Sequence, residues 1–451
     1  MYDTIAAIST ALGVGAISIV RVSGNDAIKI VNKIFKGKNL EEVESHTINY
    51  GYILDNDKIV DEVLISIMKA PKTFTKEDVV EINCHGGIAT TRKILEILLT
   101  NGCRLAEPGE FTKRAFLNGR IDLLEAEAVM DVINSKTEKS LNLAINQLSG
   151  GVSNLIKDLR QEIIKTLANI EVNIDYPEYE DIEQMTIEML KDNVKTIREK
   201  ITEILKKSKD GQIIKEGIKT IIIGKPNVGK SSLLNALLDE DKAIVTDIAG
   251  TTRDIVEGTI TIDGIVLNII DTAGIRKTND LVESIGVKKS LDLIDEADLI
   301  LYVLNNNEEL TSEDIEILDK IKNKNSIVLV NKIDLDTRIN IDSIDNDNII
   351  KISVLNNQGI EDLKNRIKEM FNIEKLDQKD YNYICNARSV ALLQKSLKSL
   401  DSVEEGINNN VPVDMVEIDL KDVWSTLGEI IGENYSDELI DQLFSQFCLG
   451  K

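Results

Sequence analysis

Aromatic side chains are scarce: Trp, Tyr and Phe make up 4 % of the 451 residues. The cores must therefore be aliphatic, rich in Ile and Leu, and no aromatic-rich basic stripe for stacking nucleic-acid bases is apparent. There are two histidines, and the four cysteines (Cys84, Cys103, Cys385 and Cys448) form no CxxC pair. A Cys/His zinc site and a disulfide framework are thereby excluded, and scattered thiols fit a reducing compartment. Positive charge is in deficit: the formal net charge is -24, which argues against a general nucleic-acid coat while leaving room for a local basic patch. No apolar run reaches the roughly 18 residues that would span a bilayer. The N-terminus has no basic stretch followed by an apolar core, so no signal peptide is expected. The expectation is a cytoplasmic protein without a membrane segment.

What is present falls into three textures. At roughly 100–200 residues per domain, the length leaves room for two to four domains. Residues 1–118 mix short alternating apolar runs, such as Ala16 to Val22, Asp61 to Met68 and Val79 to Asn83, with helical stretches at Asn25 to Phe35 and Gly87 to Thr100. That is an α+β domain. Residues 119–216 read as helix: Leu123 to Asn146 is one long amphipathic stretch without Gly or Pro, followed by Leu155 to Ile174 and Ile187 to Lys209. Over residues 217–373 strands and helices alternate as in a doubly wound, mostly parallel sheet. Candidate strands are Lys219 to Ile223, Gly258 to Ile262, Val266 to Asp271, Leu299 to Leu304 and Ser326 to Val330. Residues 374–451 return to helix at Ala387 to Glu405 and Trp424 to Ile431. An α/β domain is thus inserted in an all-α helical domain, with the ends of the insert expected close together.

The insert carries the chemistry. Gly224-Lys225-Pro226-Asn227-Val228-Gly229-Lys230-Ser231 fits the GxxxxGKS phosphate loop, after a strand and before an apolar helix. Glycines let backbone N–H groups, including those around Val228, Gly229 and Ser232, converge on phosphate oxygens; Lys230 reaches the β- and γ-phosphates and Ser231 ligates Mg²⁺. Asp271-Thr272-Ala273-Gly274 ends a strand, where a carboxylate holds Mg²⁺ through water and the Gly274 N–H senses the γ-phosphate. Asn331-Lys332-Ile333-Asp334 follows another strand; Asp334 accepts from guanine N1–H and the 2-amino group, which adenine cannot offer. Ser353 opens the last base-contacting loop. Three motifs in order, each after a strand, indicate a Ras-like GTPase site.

Two elements remain open on the residues alone. Thr246-Asp247-Ile248-Ala249-Gly250-Thr251-Thr252 lies where a mobile switch would lie, with Thr252 completing the Mg²⁺ shell in the triphosphate state; the other reading is a polar surface loop. Where Ras carries the water-orienting Gln after the DxxG glycine, this chain has Ile275, which cannot hydrogen-bond. Asn227 is placed to help hold a K⁺ in lieu of an arginine finger, and Glu283 to orient water, unless it is simply a solvated helix charge.

The runs GKPNVGKSS, TDIAGTTRD, DTAG followed by Ile, and NKID resemble the TrmE–Era–EngA group of GTPases. The ending Phe447-Cys448-Leu449-Gly450-Lys451 is similar to the FC(I/V)GK ending of the MnmE family, also called TrmE. Arg21-Val22-Ser23-Gly24, Cys84-His85-Gly86-Gly87, Pro108-Gly109-Glu110-Phe111-Thr112 and Arg114 to Asn118 also look like that family. The resemblance covers the whole chain. It implies a GTPase that acts with the flavin protein MnmG and a tetrahydrofolate-derived one-carbon unit to modify the wobble uridine (position 34) of certain tRNAs at carbon 5, adding an aminomethyl or carboxymethylaminomethyl group. It implies a homodimer through residues 1–118 and G domains that meet when K⁺ and GTP are bound. Asn227 matches the K⁺-binding asparagine, with Thr246, Ile248 and Thr251 completing the shell. Ser231 and Thr252 match the Mg²⁺ ligands, and Glu283 the water-positioning glutamate. Arg21, Glu81, Arg120 and Lys451 match folate contacts. Cys448 matches a cysteine needed for modification and not for GTP hydrolysis. Taken singly, Arg21, Glu81 and Arg120 read as surface charges, Cys448 as a buried apolar residue, Lys451 as a frayed end and His85 as part of a structural turn.

Three departures from the family pattern stand out: Leu449 for Ile or Val, Arg120 where Lys can occur, and Val354-Leu355 after Ser353 where Ala-Arg or Ala-Lys is frequent. The competing readings are a ribosome-assembly GTPase like Era or EngA, disfavoured by a helical, acidic C-terminal segment without a GxxG clamp loop, and a non-enzymatic nucleotide- or folate-dependent scaffold, disfavoured by the intact Lys230, Ser231, Thr252 and Glu283 set.

Overall fold

The computed structural model describes residues 3–175, 187–240, 256–270, 293–373 and 382–451. The chain forms two compact units: Met1–Met130 with Gln147–Arg198 and Ala391–Lys451, and Asp131–Asn146 with Glu199–Val390. No helix among the described residues is long and apolar enough to cross a membrane.

The first unit holds a seven-stranded sheet of β1 (Ile5–Ile8), β2 (Ile17–Ser23), β3 (Phe35–Lys36), β4 (Thr47–Asp55), β5 (Lys58–Met68), β6 (Val79–His85) and β7 (Arg104–Leu105), in the order β3-β4-β5-β6-β2-β1-β7. All its pairings are antiparallel except β1 with β7. Strand β5 buries Val63, Ile65 and Ile67 while the residues between them stay outside, the period-two pattern of a sheet with one covered face. Helices α1 (Ala27–Ile34) and α2 (Ile88–Thr100) supply that cover. Ala27, Ile30, Val31 and Ile34 of α1, and Ile94 and Leu98 of α2, join Val20, Val22, Ile65 and Ile82 in one core.

Helix α3 (Glu110–Leu117) follows β7. A single helix was expected over Leu123 to Asn146; instead α4 (Leu123–Asn134) and α5 (Glu138–Leu148) are separate. The break has a local cause. Ser135 Oγ donates to Asp131 O at 2.6 Å, and Thr137 Oγ1 accepts from Ser140 N at 3.2 Å. Short hydroxyl side chains offer the backbone a cap in place of continued helix. The remaining helices among the described residues are α6 (Gly151–Asp175), α7 (Ile187–Glu216), α8 (Lys230–Glu240), α9 (Ser312–Ile321), α10 (Ile360–Met370), α11 (Ala387–Asn408), α12 (Val413–Ile431) and α13 (Asp437–Phe444). Several outrun their expected spans. Helix α12 begins well before Trp424, directly after Pro412, whose missing N–H costs nothing at a helix start.

The second unit is built on β8 (Ile218–Ile223), β9 (Val256–Ile262), β10 (Ile265–Ile270), β11 (Leu299–Asn305), β12 (Ser326–Asn331) and β13 (Ile349–Lys351), in the order β13-β12-β11-β8-β10-β9. All pairings are parallel save β9 with β10. Strands β11 and β12 are buried at every position, as a parallel sheet covered on both faces requires. Leu299, Leu301 and Val303 enter one core with Leu233 and Leu237 of α8, while Ile300, Tyr302 and Leu304 enter another with Ile317 and Ile321 of α9. The expected fold is present: an α+β N-terminal domain, a helical domain and a Ras-like α/β domain with a mostly parallel sheet.

Candidate functional site

The phosphate loop runs from the end of β8 into the first turn of α8. Its glycines are held by crowding as much as by backbone angle. Gly229 has φ +102°, and a Cβ there would lie 2.3 Å from Asn331 Nδ2. Asn227 also takes a left-handed backbone, at φ 63°, which asparagine tolerates better than most residues. Two bonds fasten this loop to the guanine motif. Asn331 Nδ2 donates to Val228 O at 2.7 Å, and Lys332 Nζ donates to Asn227 O at 2.7 Å. Asn331 also turns its Oδ1 to Val354 N at 3.3 Å. Three stretches far apart in sequence thus meet on one side chain. Asp334 is exposed, and its Oδ1 accepts from the buried Ser353 Oγ at 2.5 Å. That bond fixes one carboxylate oxygen and leaves the acceptor set needed for guanine N1–H and its 2-amino group.

Lys230 Nζ donates to Gly224 O and Lys225 O, each at 2.7 Å, within the loop itself. Its ammonium is held by the loop's own carbonyls, partners it can exchange for phosphate oxygens. Ser231 is half-buried and Ser232 exposed in the first turn of α8, where helix N–H groups and the dipole favour anions. Lys225 Nζ donates to Asp314 Oδ2 and to Thr311 Oγ1, each at 2.6 Å, and Tyr302 Oη donates to Asp314 Oδ1 at 2.8 Å. Burial pushes the Asp314 carboxyl up, but the Lys225 ammonium with the Thr311 and Tyr302 donors outweighs it and holds the group below its ordinary value. The expected residues Thr246, Asp247, Ile248, Ala249, Gly250, Thr251, Thr252, Asp271, Thr272, Ala273, Gly274 and Glu283 lie outside the described residues.

A second cluster forms in the first unit. Arg21 and Glu81 stand directly opposite each other on β2 and β6. Arg21 Nε donates to Glu81 Oε1 at 2.9 Å, and Arg21 Nη1 donates to Gly450 O at 3.4 Å. The C-terminal segment is seated here by further bonds: Ser9 Oγ to Gly450 O at 3.0 Å, Phe111 N to Lys451 O at 3.1 Å and Gly109 N to Cys448 O at 3.3 Å. The Arg21 guanidinium lies 5.7 Å from the Phe111 ring centroid, and that of Arg120 lies 4.9 Å from the Phe74 ring. Phe74 packs on the small core of Ile5, Ala7, Ala106 and Phe111. Arg21 and Arg120 thus each stand over a ring of this small core, with Glu81 paired to Arg21 and the Lys451 carbonyl bonded to Phe111 N. Cys448 is exposed, not the buried thiol its composition alone suggests.

His85 is clamped by Asp61, which accepts from His85 N at 2.8 Å and meets Nδ1 at 2.7 Å; the hydrogen bond to Asp61 raises the imidazole pKa. Neighbouring Cys84 is buried, and burial pushes its thiol up. A network that sequence reasoning missed lies beneath this cluster. The buried Arg114 Nη1 donates to Glu77 Oε2 at 3.1 Å, and its Nη2 donates to Glu110 Oε1 at 2.9 Å and to Asp3 Oδ1 at 3.1 Å. The only available signal was composition: two acids and a base at positions where apolar residues would close the core.

Comparison with known proteins places the chain in a family. A family model described as GTP-binding protein TrmE N-terminus matches residues 4–120, and one described as MnmE helical domain matches residues 123–448. The tRNA modification GTPase MnmE of Streptococcus thermophilus (strain CNRZ 1066) is 55% identical over 451 residues, covering 100% of this chain and 99% of the relative. That of Bacillus thuringiensis (strain Al Hakam) is 55% identical over 456 residues, covering 100% of both. Among solved structures, a variant of Aquifex aeolicus Era bound to GDP.AlF4- is 28% identical over 40% of this chain and 66% of that one, with a TM-score of 0.26. The FeoB G-domain of Methanococcus jannaschii is 22% identical over 34% of this chain and 98% of that one, with a TM-score of 0.25. With both family models matched in order and more than half of its residues shared with relatives along its full length, the chain belongs to the MnmE family of tRNA modification GTPases and is a GTP hydrolase.

Proposed function

We propose that this chain is a K⁺-stimulated GTPase which, with the flavoprotein MnmG, modifies the wobble uridine of certain tRNAs at carbon 5, adding an aminomethyl or carboxymethylaminomethyl group that uses a tetrahydrofolate-derived one-carbon unit. It works as a cytoplasmic homodimer. The observation that carries the reading is the seating of the C-terminal segment: Gly450 O rests on Arg21 and Ser9, in the same unit as the Arg120–Phe74 stack, while Cys448 stays exposed. An anionic, ring-bearing carrier suits guanidinium groups stacked on aromatic faces.

In the nucleotide site, the amides around Asn227 to Ser232 cradle the phosphates, Lys230 neutralises the β–γ region, and Asp334 with Ser353 reads guanine. Ser231 and Thr252 would hold Mg²⁺. Asn227, with Thr246, Ile248 and Thr251, would hold K⁺, which supplies positive charge where the γ-phosphate bond breaks. The donor chemistry fits hard cations: a hydroxyl, an amide oxygen and main-chain carbonyls. Asp271 to Gly274 sense the γ-phosphate, and Glu283 orients water in place of the glutamine that Ile275 cannot replace. Arg21, Glu81, Arg120 and Lys451 bind the carrier, and Cys448 serves the tRNA chemistry.

Turnover of GTP in K⁺ against Na⁺, in the parent and in Asn227→Ala, tests the first half. Faster turnover in K⁺, abolished by the substitution, is expected; equal rates in both salts would refute the K⁺ mechanism. Nucleoside analysis of tRNA from cells lacking the protein tests the second half, and an unchanged wobble uridine would remove it.

A further inference from the structure

Between β5 and β6 the chain makes a tight turn at residues 73–77, and Lys76 sits in it at φ 59°. A side chain is strained in that left-handed region, and glycine would adopt it freely. What lysine contributes here must therefore come from its side chain. Lys76 Nζ donates to Asn118 O at 3.0 Å and to Gly119 O at 2.9 Å. These carbonyls close the end of α3, where the helix leaves acceptors without partners and its dipole favours a cation. Asn118 returns the tie, its Nδ2 donating to Thr75 O at 2.6 Å.

Each tied segment carries one half of the aromatic–guanidinium stack. Phe74 lies two residues before Lys76, and Arg120 directly follows Gly119; the Arg120 guanidinium stands 4.9 Å from the Phe74 centroid. The 73–77 turn is anchored from below. Ser23 Oγ lies 2.7 Å from Thr75 Oγ1 and donates to Glu77 Oε2 at 2.8 Å, and Glu77 is paired with the buried Arg114. The 118–120 turn has bonds back into its own helix, from Gly119 N to Phe116 O and from Arg120 N to Ala115 O. Lys76 and Asn118 are what join it to Phe74.

We propose that Lys76 is a positioning residue of the one-carbon-carrier site: it holds the 118–120 turn so that Arg120 stays stacked over Phe74, ready for an anionic, ring-bearing ligand. The inference rests on the proposed carrier site and adds to it a residue that touches no ligand.

The test is calorimetric titration of the full chain with 5-formyltetrahydrofolate, in the parent and in Lys76→Gly, Lys76→Arg, Arg120→Ala and the Lys76→Gly/Arg120→Ala double variant. Lys76→Gly suits the turn's backbone, so its melting temperature should match or exceed that of the parent. Its affinity should fall about three- to tenfold, the scale of losing one well-held cation–aromatic contact. Lys76→Arg keeps a donor to both carbonyls and should recover most of the affinity. In the Arg120→Ala background, Lys76→Gly should have no further effect. Parent-like binding by Lys76→Gly, or an equal loss with and without Arg120, would overturn the positioning role while leaving the site intact. No binding by the parent, or parent-like binding by Arg120→Ala, would overturn the carrier site and this inference with it.

Discussion

Lys225, inside the phosphate loop, gives its ammonium to the buried carboxylate of Asp314 at 2.6 Å. Asp314 in turn caps α9, accepting from Thr311 N at 2.8 Å. The glycine-rich loop is thereby moored to the helix that follows β11. Replacing Lys225 with Met leaves a buried acid short of its strongest donor, at a cost of about 1–3 kcal/mol. Chemical denaturation should show that loss, and GDP affinity should fall with it, because the loop amides lose their fixed backing. Unchanged stability in Lys225→Met would mean that the mooring contributes nothing.

Guanine selection should turn on the carboxylate of Asp334. An Asp334→Asn substitution exchanges one acceptor for an amide donor. It keeps an acceptor for N1–H and offers a donor to a ring carbonyl at position 2. Discrimination of this kind, which leaves polar groups unpaired with the wrong ligand, is worth about 10²-fold or more. GTP should bind far more weakly and xanthosine triphosphate correspondingly better, read by competition against a labelled nucleotide. If GTP remains preferred, Asp334 does not read the base.

Much of this is legible in the sequence, for a physical reason. Phosphate and guanine motifs are contiguous runs set at strand ends, and strands such as Leu299–Asn305 announce themselves by unbroken apolar character. The side-chain ties were not legible. Arg21 and Glu81 are 60 residues apart, Lys76 and Asn118 are 42 apart, and Lys225 and Asp314 are 89 apart. Each such residue read singly is an ordinary charged or polar side chain. Only the sheet register and the packing of α3 and α9 bring the pairs together. The break at residues 135–137 was missed for the opposite reason: hydrophobic periodicity runs on through it, and local Ser and Thr bonding stops the helix anyway.

Gly450 holds the C-terminal segment in its seat. Its φ is +87°, and a Cβ would lie 2.4 Å from Ile8 O, a backbone atom. Gly450→Ala must therefore shift the segment and loosen its bonds to Ser9, Arg21 and Phe111. Strain of this kind amounts to about 1–3 kcal/mol. The expected result is a sharp fall in wobble-uridine modification when the variant replaces the parent in cells, with GTP binding by purified protein unaltered. Full modification by Gly450→Ala would show that the docked position is not the working one.

Acid should weaken the first unit through the network around Arg114. Glu110 is pushed up by burial, yet bonds from Arg104, the Glu107 backbone and Arg114 hold it below its ordinary value; Asp3 is held down chiefly by its hydrogen bond from Arg104. A carboxyl whose folded pKa is depressed contributes stability that is fully present above its unfolded pKa and disappears as pH falls through the folded one. The ordinary values are 4.5 for Glu110 and 3.8 for Asp3. The stabilisation should therefore be constant at neutral pH and decline as the pH drops through that range and below it. Most of it comes from Glu110, since Asp3 is half exposed and screened. Arg114→Met should cost about 3–5 kcal/mol at neutral pH, the scale for orphaning buried charges. Its loss should shrink towards acid, because a protonated Glu110 no longer needs the guanidinium. Thermal melts of parent and variant between neutral pH and about pH 3 will measure this, and a pH-independent gap between them would show that Arg114 acts by packing rather than by charge.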